Sequence, residues 1–128
     1  MTRSNIYICD DIVGEVPSDS YPGGDLWNTL CDLDEKQVTE KEFRKAVLKF
    51  IPKTGGYRKR IVGNWSYEFV FIPVNPPVSP GGRVYYQDWK SWTGIIMYRE
   101  IDSRMWKNEF KDAYWQLPGT WKRITRKG

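Results

Sequence analysis

The sequence predicts an α+β fold, a single mainly antiparallel sheet packed by two main helices. Three observations carry that prediction. Short stretches rich in β-branched and aromatic residues recur along most of the chain, with turn residues between them. Two stretches instead repeat apolar residues at helical spacing, one before most of those strands and one after. Seven Trp, eight Tyr and five Phe among 128 residues supply enough large side chains for one core. A ferredoxin-like β-α-β-β-α-β order with an additional strand is one version of this fold.

Ile6-Tyr7-Ile8 reads as a first strand, and the Gly, Pro, Ser and Asp residues of 14–24 read as a loop. Asp25 is then placed to cap a short helix carrying Leu26, Trp27, Leu30 and Cys31. The clearest helix is predicted from Glu40 to Ile51. Thr39 and Glu42 have capping-box spacing, and Phe43, Ala46, Val47 and Phe50 line one face. Acids fall in its first turn and bases later, as the helix dipole prefers, and Pro52 ends it. Leu48 falls among the bases, against the pattern.

Strands are expected at Tyr57–Val62 and Trp65–Ile72. In the second, Trp65, Tyr67, Phe69 and Phe71 share one face while Val70 and Ile72 take the other, which suits a central strand. Residues 73–82 hold four Pro and two Gly and read as a stiff connection. Arg83–Gln87 and Trp92–Ile101 read as two more strands. A second helix is expected from Ser103, with Trp106, Phe110, Ala113, Tyr114 and Leu117 on one side and Pro118-Gly119 as its stop. Thr120–Thr125 is expected to be the last strand. Residues 1–128 thus read as one compact domain with a basic C-terminal tail from about residue 122.

Composition narrows the function. No apolar run approaches the ~18 residues of a membrane span, and no export signal is evident, so an intracellular, soluble protein is expected, cytoplasmic rather than nuclear by preference. Cys9 and Cys31 are too few for a disulfide framework and are expected to be reduced. Histidine is absent, which removes Ser-His and Cys-His nucleophilic pairs and His-ligated zinc. The expectation is a protein that is not an enzyme and carries no cofactor or metal.

Charge is sorted by position. Residues 1–42 hold ten acids and three bases, net −7; residues 43–128 hold seventeen bases and six acids, net +11. Phe43–Gly63 contains seven bases (Arg44, Lys45, Lys49, Lys53, Arg58, Lys59, Arg60) and no acid, and Lys122, Arg123, Arg126 and Lys127 close the chain. Such segregation produces a field that a polyanion feels. Aromatic rings interleave with these bases, the arrangement by which single-stranded nucleic acid is held, with bases stacked on rings and phosphates paired to cations.

The expected nucleic-acid-binding surface therefore takes Lys49, Lys53, Tyr57, Arg58, Lys59, Arg60, Arg83, Tyr86, Trp89, Lys90, Trp121, Lys122, Arg123 and Arg126, with single-stranded RNA slightly favoured. Tyr57, Tyr86, Trp89 and Trp121 are its expected exposed rings. The alternatives are a protein-binding inhibitor or adaptor using Trp and Arg anchors, and a peripheral protein of an anionic membrane. The acids of residues 10–35 are placed to compete with phosphates for the same cations.

Other chemical signatures are weaker. Glu68, Asp88 and Lys90 have the residue types of a metal nuclease, at a spacing that charge-rich sequences reach by chance. Tyr67-Glu68-Phe69-Val70 matches part of an RNA-recognition strand but lacks its leading basic-Gly pair. Asp32-Leu33-Asp34-Glu35 lacks the Gly and closing Glu of a calcium loop, and is expected to be the solvated approach to the capped helix.

Overall fold

The computed structural model describes residues 3–52, 65–77, 89–102 and 121–127. These residues form an α+β fold, with one mixed, mostly antiparallel five-stranded sheet and two helices among them. β1 (Arg3–Ile8) and β2 (Asp11–Val16) form an antiparallel hairpin through Cys9, whose φ is +52°. The chain then forms α1 (Asp25–Lys36) and α2 (Glu40–Leu48) and returns as β3 (Trp65–Asn75), parallel to β1. β4 (Thr93–Asp102) pairs antiparallel with β3, and β5 (Lys122–Arg123) with β4, giving the order β2-β1-β3-β4-β5. The parallel β1–β3 pair follows from the helical crossover, which returns the chain in its original direction. The described strands do not single out the ferredoxin-like version.

Three boundaries correct the sequence reading. Gly14–Val16 belong to β2, so the loop begins only at Pro17. Gly14 lies opposite Ile6, and a Cβ there would sit 2.8 Å from Ile51 Cγ2. That glycine serves a close approach, whereas its neighbours in sequence suggest a turn. The acidic run Asp32–Glu35 forms the last turns of α1 and does not precede α2 as free chain. β3 continues through Pro73 to Asn75, beyond the expected start of the connection. Its pairing with β4 shifts register between Pro73 and Asn75, where a residue without an N–H is tolerated. The strands expected at 57–62 and 83–87 and the helix expected from Ser103 lie outside the described residues.

α2 begins as its capping box requires. Glu42 N–H donates to Thr39 Oγ1 at 3.4 Å, and Thr39 N–H donates to Glu42 Oε1 at 3.1 Å. The helix ends at Leu48, and two tighter turns carry the chain to Ile51 before Pro52. Asp25 opens α1 without capping it, since the cap position is Gly24.

Both helices cover one sheet face. Trp27 is fully buried, its ring edge-on to Tyr67, Phe69 and Tyr98 with centroids 4.8–5.4 Å apart. Its Nε1–H donates to the Thr125 carbonyl at 2.7 Å, tying α1 to the C-terminal segment. Phe43 of α2 stacks on Phe71 at 5.1 Å, and Ile6, Ile8, Val47 and Ile96 complete this core. Tyr67, Phe69 and Phe71 share this face as expected, and β3 is a central strand.

The opposite face carries a polar row across the sheet. Pairing places Glu15, Asn5, Glu68 and Arg99 side by side on β2, β1, β3 and β4, and all four are buried. Arg99 Nη2 and Nε donate to Glu68 Oε1 at 2.7 and 2.9 Å, and Tyr7 donates to Glu68 Oε2 at 2.8 Å. Among the described residues, no helix is long and apolar enough to cross a membrane.

Candidate nucleic-acid interface

A capped helix with one apolar stripe must present its remaining sides outward. In α2 the stripe is Phe43 and Val47, so Lys41 and Lys45, and Lys49 at the C-cap, stand exposed, four residues apart. At 1.5 Å rise per residue they are spaced by about 6 Å along the axis. The 3.6-residue period brings Leu48, 50% exposed, onto the same side.

The acids of this helix are occupied elsewhere. Glu42 closes the capping box, and buried Glu40 accepts Nε and Nη2 of Arg44 at 3.0 and 2.8 Å. Lys49 Nζ stands 5.2 Å from the Phe50 ring centroid. A short 3-10 turn, Trp89–Ser91, lies against α2 and carries exposed Lys90. The row therefore holds positive charge with no acid of α2 aimed at it.

The C-terminal cations are arranged differently. Arg123 Nε donates to Asp34 Oδ1 and Oδ2 at 2.9 and 3.0 Å, and Asp34 Oδ1 also accepts the Ile96 N–H at 2.9 Å. Arg126 Nη2 donates to Asp32 Oδ1 at 2.6 Å and to Glu35 Oε2 at 3.3 Å. Donating hydrogen bonds to Asp32 and then to Glu35 pushes the Arg126 pKa above its ordinary value, and the charge of Glu35 adds to this. These pairs also explain an acidic helix C-terminus, a position where the macrodipole alone is unfavourable to carboxylates. Lys122 is exposed.

The two described rings of the expected site are not the exposed platforms that their polar neighbours suggested. Trp89 is half-buried and packs against the core. Trp121 is half-buried, with the Arg99 guanidinium 4.4 Å from its ring centroid. Both carry large apolar area that a sheet edge or helix flank can cover, which outweighs the polarity of the residues around them. Lys53, Tyr57, Arg58, Lys59, Arg60, Arg83 and Tyr86 lie outside the described residues. The structure thus places Lys49 and Lys90 beside α2, and Lys122, Arg123 and Arg126 at the β5 end.

Lys41 and Lys45 are members of the α2 row that the expected site omits. Their four-residue spacing with Lys49 was the available signal, hidden because Lys41 falls within the acidic third of the chain. Of the nuclease-type residues, Glu68 is fully buried with both oxygens accepting hydrogen bonds, Lys90 is exposed, and Asp88 lies outside the described residues. No group of three or more His, Cys, Asp or Glu placed to hold a metal ion occurs among the described residues.

The cysteines are free thiols, Cys9 exposed and Cys31 buried. Burial raises the Cys31 pKa. Partial burial, with Asp10, Asp11 and Glu40 nearby, raises that of Cys9. Both are thereby held away from the reactive thiolate form. Burial also raises the Glu15 carboxyl, with Arg3 opposing it, and burial raises the Tyr98 hydroxyl. No protein-family model, curated protein or solved structure matches this chain.

Proposed function

We propose that this protein binds nucleic acid, with single-stranded RNA favoured, and that it does so as a binding protein without catalysing a reaction. The observation that supports this reading is the exposed row of Lys41 and Lys45 on α2 and Lys49 at its C-cap, none of them ion-paired with an acid of the helix among the described residues. Cations at regular spacing on a rigid helix suit a backbone of regularly spaced phosphates. Half-exposed Leu48 provides apolar surface within the row for a base or ribose to cover. The cluster Arg58-Lys59-Arg60, close in sequence, extends the same charge. An RNA ligand puts the working compartment inside the cell, with the cytoplasm favoured.

The same Leu48 supports a second reading, a protein-binding adaptor whose partner seats an apolar side chain between acidic ones. Fluorescence anisotropy separates the two. A labelled 12-nucleotide single-stranded RNA is expected to bind the wild type at low salt and to bind the Lys41→Ala/Lys45→Ala/Lys49→Ala variant at least tenfold more weakly. Wild type that leaves the anisotropy unchanged, while retaining a protein partner after nuclease treatment, moves the adaptor ahead.

A further inference from the structure

We infer that Arg126 is a latent phosphate-contact site restrained by Asp32 and Glu35 of α1, whose carboxylates hold its Nη2 and offset its charge until a nucleic-acid phosphate displaces them. The inference rests on the nucleic-acid reading and adds a second contact to it, at the opposite end of the chain. The two C-terminal ion pairs differ in kind. Asp34 is 11% exposed and divides its carboxylate between Arg123 and the edge N–H of Ile96. Displacing Asp34 would orphan a sheet N–H, so that pair is structural.

Arg126 and its partners Asp32 and Glu35 are 50, 54 and 62% exposed, and among the described residues no backbone group outside α1 hydrogen-bonds to their side chains. An exposed pair of this sort is weakly held and screened by salt. A phosphate can accept from the same Nη2 and, unlike the two acids, from a second guanidinium nitrogen as well.

The site is also positioned. The Trp27 Nε1–H bond to the Thr125 carbonyl anchors the chain one residue before Arg126, and buried Ile124 donates its N–H to the Ile96 carbonyl at 3.0 Å. The guanidinium is thus presented from a fixed backbone, with exposed Lys122 and Lys127 on the same short segment. Removing the two acids leaves an uncommitted cation at a fixed place. Removing Arg126 leaves two acids that repel phosphate.

The test is binding of the labelled 12-nucleotide RNA to four full-length proteins: wild type, Asp32→Asn/Glu35→Gln, the same pair with Arg126→Ala, and Asp10→Asn/Asp11→Asn. The last is an equal charge change at the exposed hairpin turn. At ~20 mM salt Asp32→Asn/Glu35→Gln is expected to bind about two- to five-fold tighter than wild type, the range open to a weak exposed ion pair. The gain should exceed that of the hairpin variant and disappear with Arg126→Ala. It should fade near 0.5 M salt, where the screening length falls to about 4 Å.

A gain matched by the hairpin variant, or one that survives Arg126→Ala, overturns the gate. Wild type that binds, with no gain on neutralisation, overturns the gate and leaves the nucleic-acid reading standing. A neutralised variant that binds where wild type does not upholds the gate and overturns the α2 row as a sufficient site. Failure of every protein to bind overturns both.

Discussion

Replacing Arg99 with Met removes one half of an ion pair that is almost wholly excluded from solvent. The Arg99 and Glu68 side chains are 1% and 0% exposed, joined at 2.7 Å across the central β3–β4 pair. Tyr7 adds a third strand through its hydrogen bond to the same carboxylate. Truncating one partner of such a pair costs about 3–5 kcal/mol, because the carboxylate left behind stays buried and loses the charge-assisted hydrogen bonds that offset its desolvation. Total stability for a domain of this size is about 5–15 kcal/mol, so this one side chain decides a large fraction of it. With a urea m-value of about 2 kcal/mol per M, the loss moves the denaturation midpoint down by about 2 M.

The companion variant is Glu68→Leu/Arg99→Met/Tyr7→Phe, which removes both charges and the hydroxyl that donates to Glu68. It should recover most of the loss or exceed wild type, since apolar replacement avoids the desolvation cost of two buried ions. Equilibrium urea unfolding of the three proteins, followed by tryptophan fluorescence, measures both values. An Arg99→Met protein within 1 kcal/mol of wild type at unchanged m would refute the reasoning, since a pair so buried cannot be both real and dispensable.

Two further predictions concern local structure. Thr39→Ala removes the Thr39 half of the capping box and should destabilise the protein by about 1 kcal/mol, with faster amide exchange confined to the first turn of α2; unchanged exchange there would contradict the cap. Glu15 has its carboxyl raised by burial above the ordinary 4.5. Its neutral form therefore fits the folded state, and its contribution is present at acid pH and lost as pH rises through the raised value. Glu15→Gln should match wild type below about pH 4 and become the more stable protein as pH rises above that, in paired urea titrations. A constant difference across pH would discount the burial of Glu15.

How far the chain could be read from its sequence depends on whether the signal was local. The capping box, the apolar stripe of α2 and the two-sided apolar character of β3 are each written in neighbouring residues, and each stands in the structure. β2 was hidden because Gly14 and Pro17 read as turn residues, while the glycine answers to Ile51, distant in sequence. The helical state of Asp32–Glu35 was hidden for the same reason, since the cations that compensate it are Arg123 and Arg126, about ninety residues away. The buried row of Glu15, Asn5, Glu68 and Arg99 exists only through strand register, which no local pattern encodes. Charge segregation is the sequence signal on which the proposed class of partner rests. Which cations are committed internally and which face outward depended on the fold.

The salt dependence of RNA binding tests the central claim most directly. For single strands log K falls with log salt at about −0.7 per phosphate neutralised, so Lys41, Lys45 and Lys49 together account for a slope of about −2. Wild type should therefore show a slope near −3, with Lys90 and the neighbouring basic segment supplying the remainder. The Lys41→Ala/Lys45→Ala/Lys49→Ala variant should fall to about −1 with an unchanged urea midpoint. A wild-type slope near zero, or equal slopes for the two proteins, would contradict the assignment of phosphate contacts to α2.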